Sequence, residues 1–218
     1  MGLAALCWLG GNVLWLLGRS IPEIALWWTA FLVLTIAGER LELGRLLRLP
    51  GSVQGLFSAI IAMQMIGLIV ILVDYRWGLH VIGGAWLMLA VWLLRHDIAR
   101  RTIRKTGLTR FIAVCMLSGY VWLGVGGMLG LLTDGSQGGF RYDAQLHSVF
   151  VGFVFSMIFG HAPIIIPALL KITLTFSPRF YWHVWLLHLS LTMRVIGDLL
   201  LNYQLRRWAG MLNVSTII

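Results

Sequence analysis

At 218 residues, 59% hydrophobic and 11% charged, the chain is too apolar for a soluble globular domain, in which about 25% of residues carry charge. Its net charge of +9 comes in short clusters between apolar runs, which is how membrane loops are charged and not how a nucleic-acid groove is lined, so no nucleic-acid partner is expected. The two cysteines, Cys7 and Cys115, sit inside apolar runs and read as small buried hydrophobes; they exclude a disulfide framework.

Roughly 20 apolar residues are needed to cross about 30 Å of hydrocarbon. That measure predicts an all-α, polytopic transmembrane helix bundle of about seven spans in one domain, residues 1–218. The first span, about 3–18, is short and starts without a basic leader or an A-x-A site, so no cleavable signal peptide is expected. The second, about 22–43, opens on Pro22 in its first turn, where proline is tolerated. The third, about 53–73, lies between Pro50-Gly51 and Asp74, and the fourth, about 77–95, has His80 and His96 at its ends, where water is expected to reach them. The fifth, about 108–132, carries Gly126 and Gly130, a small-x-x-x-small pair that lets helices approach closely, and ends before the Gly-rich stretch 134–139. The sixth, about 144–170, contains Pro163 and Pro167, and the seventh is about 179–203. Runs this long exceed a barrel strand, which favours helices. Trp27, Trp28, Trp77, Trp182 and Trp208 lie near span ends, as an aromatic belt would.

The charges orient the bundle. Loops after spans two, four and six hold eleven basic residues: Arg40, Arg45, Arg48, Arg95, Arg100, Arg101, Arg104, Lys105, Arg110, Lys171 and Arg179. The other loops hold Arg19, Arg76 and Arg141. The positive-inside rule then predicts a multi-pass protein of the cell inner (plasma) membrane with a cytoplasmic N-terminus. The lipid bilayer is the first partner, with anionic lipids at the 95–110 loop; further membrane subunits or a second copy are additional candidates. Arg206 and Arg207 oppose the rule, and the apolar tail from Trp208 to Ile218 reads as the start of a further span or an interfacial segment.

Ionisable groups within a span cost about 2.5–3.5 kcal/mol each and call for a reason. Span six holds His147 and His161; span seven holds His183, His188, Arg194 and Asp198. His161 and His188 each lie about nine residues, roughly 14 Å, from the inner end of their span, and helices joined by a short loop tend to be neighbours. Two neutral imidazoles at one level can ligate a haem b iron from both sides or share a copper ion. His147, fourteen residues before His161, is about 40° off the same face of a regular helix and is a third candidate ligand. Pro163 and Pro167 offer a bend to admit a porphyrin. Each His could instead bond a neighbouring helix. His183 reads as an interface residue beside Tyr181, Trp182 and Trp185, and Arg194 and Asp198, spaced i, i+4, read as an ion pair that His147 could join. Glu39 and Glu42 at the inner end of span two pair with Arg40 or Arg45, or Glu39 supports the histidines as a hydrogen-bond partner or proton carrier. No Walker loop, dinucleotide fingerprint, H-E-x-x-H, G-x-S-x-G or C-x-x-C-H occurs, which removes most soluble enzyme classes.

The stretch HSVFVGFVFSMIFGHAP from His147 to Pro163, AGERLEL from Ala37 to Leu43 and RRWAG from Arg206 to Gly210 resemble signatures of a bacterial polytopic membrane-protein family with no assigned activity. The resemblance implies longer relatives with additional helices at both ends. More distantly, His147 followed by Gly152-Phe153 is similar to the His-x-x-x-x-Gly-Phe helix of NnrS-type haem- and copper-containing membrane proteins linked to nitric-oxide metabolism. That similarity implies His147 as a metal ligand; His161 falls outside the pattern. Two function classes follow: a haem- or copper-binding redox or gas-responsive protein, and a non-redox transporter or accessory subunit whose polar residues line a path or an interface. Neither class decides whether the chain is an enzyme.

Overall fold

The computed structural model describes residues 2–44, 47, 49–133, 135–173 and 175–217, and every regular element among them is helical. In chain order these are α1 (Gly2–Leu16), α2 (Ile21–Gly44), α3 (Gly51–Ile71), α4 (Tyr75–His96), the one-turn α5 (Ala99–Thr102) and α6 (Gly107–Leu131). They are followed by α7 (Phe140–His147), a π-helical segment (Ser148–Val154), α8 (Phe155–Leu170), α9 (Phe180–Leu199) and α10 (Tyr203–Ile217). Arg45, Arg48 and Asp134 lie outside the described residues.

Five helical stretches have the length and apolarity of a membrane span: α2, α3, α4, α6 and the continuous run of 31 residues from Phe140 to Leu170. The protein is thus an all-α, multi-span membrane protein. The expected count of seven is not reached on this measure. Helix α1 has 15 residues, about 22 Å at 1.5 Å each, and α9 is diluted by His183, His188, Arg194 and Asp198.

Helix α6 sits at the centre, flanked by α4 on one side and by α7, the π segment and α8 on another. A glycine stripe sets the α4–α6 distance: a Cβ on Gly127 would lie 2.6 Å from the Leu87 amide nitrogen and 2.7 Å from the Gly83 carbonyl oxygen. The sequence pair Gly126/Gly130 therefore does serve close approach, against Val149 and Gln145. Helix α3 lines the far side of α4, while α1 forms a hairpin with α2. Trp27 and Trp28 are half-buried in that hairpin, against Gly10 and Gly11. Of the expected belt, Trp77, Trp182 and Trp208 are exposed, and Trp27 and Trp28 instead fill the α1–α2 contact. His80 and His96 are likewise half-buried, with ring centroids 5.7 Å from Trp77 and 5.4 Å from Trp92. Helix α2 touches α3, α4 and the π segment only lightly, which leaves a cleft between α2 and α8.

Two features were not expected from the sequence. The π segment interrupts span six where Gly152 meets Trp122; a Cβ there would lie 2.4 Å from the indole. The wider turn changes the helical phase, so the 40° relation between His147 and His161, which assumes an unbroken α-helix, does not carry across it. The tail forms α10, which turns back along α9: Ser190 bonds Asn213, and Arg206 lies against Gly197. The tail is therefore a helix returning beside α9.

Candidate functional site

The charge that departs most from sequence expectation is Arg40. It is not a loop residue. It lies inside α2, four residues before Gly44, in register with the buried Val33, Ala37 and Gly44, and is 5% exposed. Its Nη2 lies 3.1 Å from His161 Nε2, and its Nη1 lies 3.3 Å from the Met116 thioether. His161 donates from Nδ1 to the Met157 carbonyl, 2.7 Å away on its own helix, so its Nε2 carries the lone pair and accepts from Arg40. The only carboxylate within 4 Å among the described residues is Glu39, at 4.0 Å and half exposed. The guanidinium Nε has no partner. A buried cation is thus offered a thioether, a neutral imidazole and one half-exposed acid at contact range, with the Asp97 carboxylate acting on it only from beyond 4 Å, which is poor compensation for a desolvated guanidinium.

Asp97 stands behind this arginine, just past the end of α4 and between spans, 4% exposed. Its Oδ1 accepts from the Ala99 amide at 2.7 Å, while its Oδ2 and the hydroxyl of the fully buried Tyr120 lack aligned hydrogen-bond partners. Burial pushes the Asp97 carboxyl above its ordinary value of 3.8; the Ala99 amide, Arg40, the Tyr120 hydroxyl and His161 only partly offset this. Asp97 also lines a vestibule of about 330 Å³ with Arg95, His96, Arg100, Arg101 and Arg104. Arg40 and His161 line the much larger α2–α8 cleft, about 1010 Å³, whose walls include Leu32, Ile36, Ile158 and Ile165 and whose border carries Glu39 and Glu42. Pro163 and Pro167 sit within α8 beside it, where they free the carbonyls four residues back.

The other histidines are engaged elsewhere. His188 on α9 accepts at Nδ1 from the Trp122 indole, 3.0 Å, and its Nε2 is 2.9 Å from the Ser118 hydroxyl. Ser118 gives its own proton to the carbonyls of Val114 and Cys115, so His188 is the donor in that contact. Ser118 and the Met116 that Arg40 touches are two residues apart on α6, about 200° around the helix. His161 and His188 therefore have separate partners on different sides of α6, and neither leaves a ring nitrogen without a partner. His147 donates from Nδ1 to the Asp143 carbonyl at 2.7 Å, and His183 is exposed. Among the described residues no three His, Cys, Asp or Glu side chains converge as a metal site. Cys7 and Cys115 are buried free thiols. To hold haem or copper, His161 and His188 would each have to surrender existing bonds, so this donor set does not fit a preformed metal centre.

Arg194 and Asp198 do pair, at 3.2 Å. The pair is joined by Asp143 of α7 and Arg206 of α10, while His147 bonds the Asp143 carbonyl instead. Arg206 Nε lies 3.2 Å from Asp198 Oδ1, close enough for ion pairing although its N–H is not aligned on the oxygen. Arg206 also sits 4.6 Å over the Phe140 ring. Two cations meet two carboxylates, so the partly buried, ion-paired position of Arg206 within a helix, rather than a loop position, accounts for its departure from the positive-inside pattern.

Sequence reasoning therefore places Arg40 among the loop charges and passes over Met116, Asp97 and Tyr120. Arg40 had a usable signal, since it continues the buried positions Val33 and Ala37, whereas Glu39 and Glu42 fall off that face. Asp97 is the one acid inside the basic run from Arg95 to Lys105. No curated protein and no solved structure matches the chain. Over residues 1–218 it belongs to the family described as a domain of unknown function (DUF8744).

Proposed function

We propose that this is a non-redox integral membrane protein that binds an amphipathic anion from the bilayer, with the apolar part in the α2–α8 cleft and the anionic headgroup on Arg40. The observation that carries the reading is the undercompensated guanidinium, 5% exposed, at the base of an apolar cleft that is wide enough for a chain and open along its side. An arginine prefers a planar or tetrahedral oxyanion that engages two of its donors at once, and a carboxylate or a phosphate diester meets that need. Glu39 and Glu42 at the border repel a second negative charge, which favours a monoanion. Such a protein acts as a carrier or as an accessory subunit that holds the lipid for a partner.

The test is binding of a long-chain alkyl sulfonate, fluorescent and permanently anionic, to the full-length protein in zwitterionic detergent. Wild type should bind saturably. Arg40→Gln should lose at least about tenfold in affinity, the scale of one charge-assisted bidentate contact. Ile158→Trp, which blocks the cleft without touching the arginine, should lose a similar factor. Equal binding by both folded variants would overturn the reading. So would an optical spectrum and metal analysis revealing a bound chromophore that His161→Ala and His188→Ala remove.

A further inference from the structure

Two cavities each take one member of a buried charge pair into their lining. Arg40 lines the lipid-side cleft, Asp97 lines the basic vestibule, both are buried, and the charge of Arg40 favours the ionised Asp97 carboxyl. Both are at least nine-tenths buried, and Asp97 Oδ2 is without a hydrogen-bond partner. With the cleft free, Asp97 is the only buried carboxylate among the described residues with a Coulombic effect on Arg40. A ligand anion that reaches Arg40 brings a second negative charge into the same low-dielectric volume. One cation cannot balance both.

Resting on the anion-binding reading above, we propose that the ligand anion and Asp97 compete for Arg40, so that each anion bound is accompanied by one proton taken up on Asp97 from the vestibule. The balance is simple. One anion enters the cleft, one H⁺ from water bonds to Asp97 Oδ2, and the buried net charge is unchanged. Burial already favours the protonated carboxyl, and the competing anion removes the stabilisation that Arg40 gives to the ionised form. The protonated carboxyl gains a use: its O–H lies close to Tyr120, and its Oδ1 keeps the Ala99 amide. The site is therefore a proton-coupled anion site.

The groups around Asp97 fix the alternatives. From α2 it faces Arg40, from α6 Tyr120, from α8 His161, and from its own segment Arg95, His96, Arg100, Arg101 and Arg104. The last five border the vestibule, where salt and water screen them. His161, 3.1 Å from Arg40, and Glu39 and Glu42 at the cleft border are the other titratable groups beside the anion site. Each therefore needs its own control.

By linkage, anion affinity rises as pH falls, with a limiting slope of about tenfold per pH unit for one proton. The alkyl sulfonate removes ligand titration from the measurement. Wild type should bind more tightly in mildly acid than in mildly alkaline buffer and should take up protons from a weakly buffered solution on binding. Asp97→Asn keeps the Oδ1 acceptor for Ala99 and should bind at the acid-limit affinity at every pH, with no proton uptake. His161→Gln and Glu39→Gln/Glu42→Gln should keep the slope. If Asp97→Asn binds the probe but retains the slope and the uptake, the coupling is overturned and the binding reading stands. If wild type binds with no pH dependence and no uptake, the coupling is likewise overturned. If no variant, wild type included, binds the probe, it is the anion-binding reading that fails.

Discussion

At one end of the bundle Arg194, Arg206, Asp143 and Asp198 from three helices form a cluster of two cations and two carboxylates. At the other, Arg40 faces a thioether, an imidazole and a half-exposed acid at 4.0 Å. Both ends withdraw arginine from water, partly at the first and almost wholly at the second, yet only the first closes its own charge. The first behaves as a tie: it joins α7, α9 and α10, the elements that short turns alone would hold loosely. The second has donors to spare and an open cleft beside them. A closed network reports on folding, whereas an open one reports on what it awaits.

The widest separation between the two ends should appear in thermal stability. Asp198→Asn leaves Arg194 and Arg206 with one carboxylate between them in a buried setting, at an expected cost of about 3–5 kcal/mol. Arg40→Met leaves Asp97 without its countercharge, but burial already favours the neutral carboxyl there, so protonation keeps the loss well below that of Asp198→Asn. Melting of the purified protein followed by tryptophan fluorescence should thus fall much further for Asp198→Asn than for Arg40→Met. Equal losses would mean that Arg40 is as structural as the tie and that the contrast is false.

Much of this architecture was legible. Helix bounds lie within a few residues of the expected spans because long apolar runs are read by length alone, and the Gly126/Gly130 spacing pointed to a close helix contact. The pairing of Arg194 with Asp198 followed from i, i+4 spacing. The completion of that pair by Asp143 and Arg206 did not, because it depends on α10 folding back, and an apolar tail says nothing of its direction. The depth estimate brought His161 and His188 to one level but could not say on which side of α6 each would lie. That is set by the rotation of α8 and α9, and the π segment alters the rotation of α8. Arg40 was read as a topology charge since it stands near a span end with Glu39 and Glu42; its facial register, not its position along the helix, is what buries it.

A smaller effect separates the ends by pH. The folded state holds a proton on Asp97 more tightly than the unfolded chain does, because burial raises its carboxyl above 3.8. Between the unfolded and the folded value the native state carries more protons, so stability falls as pH rises through that window and is flat below it. Asp97→Asn should flatten this segment of a melting-temperature profile. A slope that persists in Asp97→Asn would assign the titration to another group.

The least disruptive substitution tests whether His188 belongs to either class. Its two ring nitrogens are fully used, by the Trp122 indole at 3.0 Å and the Ser118 hydroxyl at 2.9 Å, and the rings of Trp122 and His188 are nearly parallel at 21°. Trp122 is also the side chain against which Gly152 and the π segment rest. Trp122→Phe keeps an aromatic ring there but removes the donor to Nδ1, an expected cost of about 0.5–1.5 kcal/mol, the net worth of one hydrogen bond. Anion binding in the α2–α8 cleft should be unchanged in this variant, since His188 lies on another side of α6 from Arg40. A loss of probe affinity with an intact fold would show that the π segment transmits between the α9 contact and the cleft, and the two ends of the bundle would then have to be treated as one device.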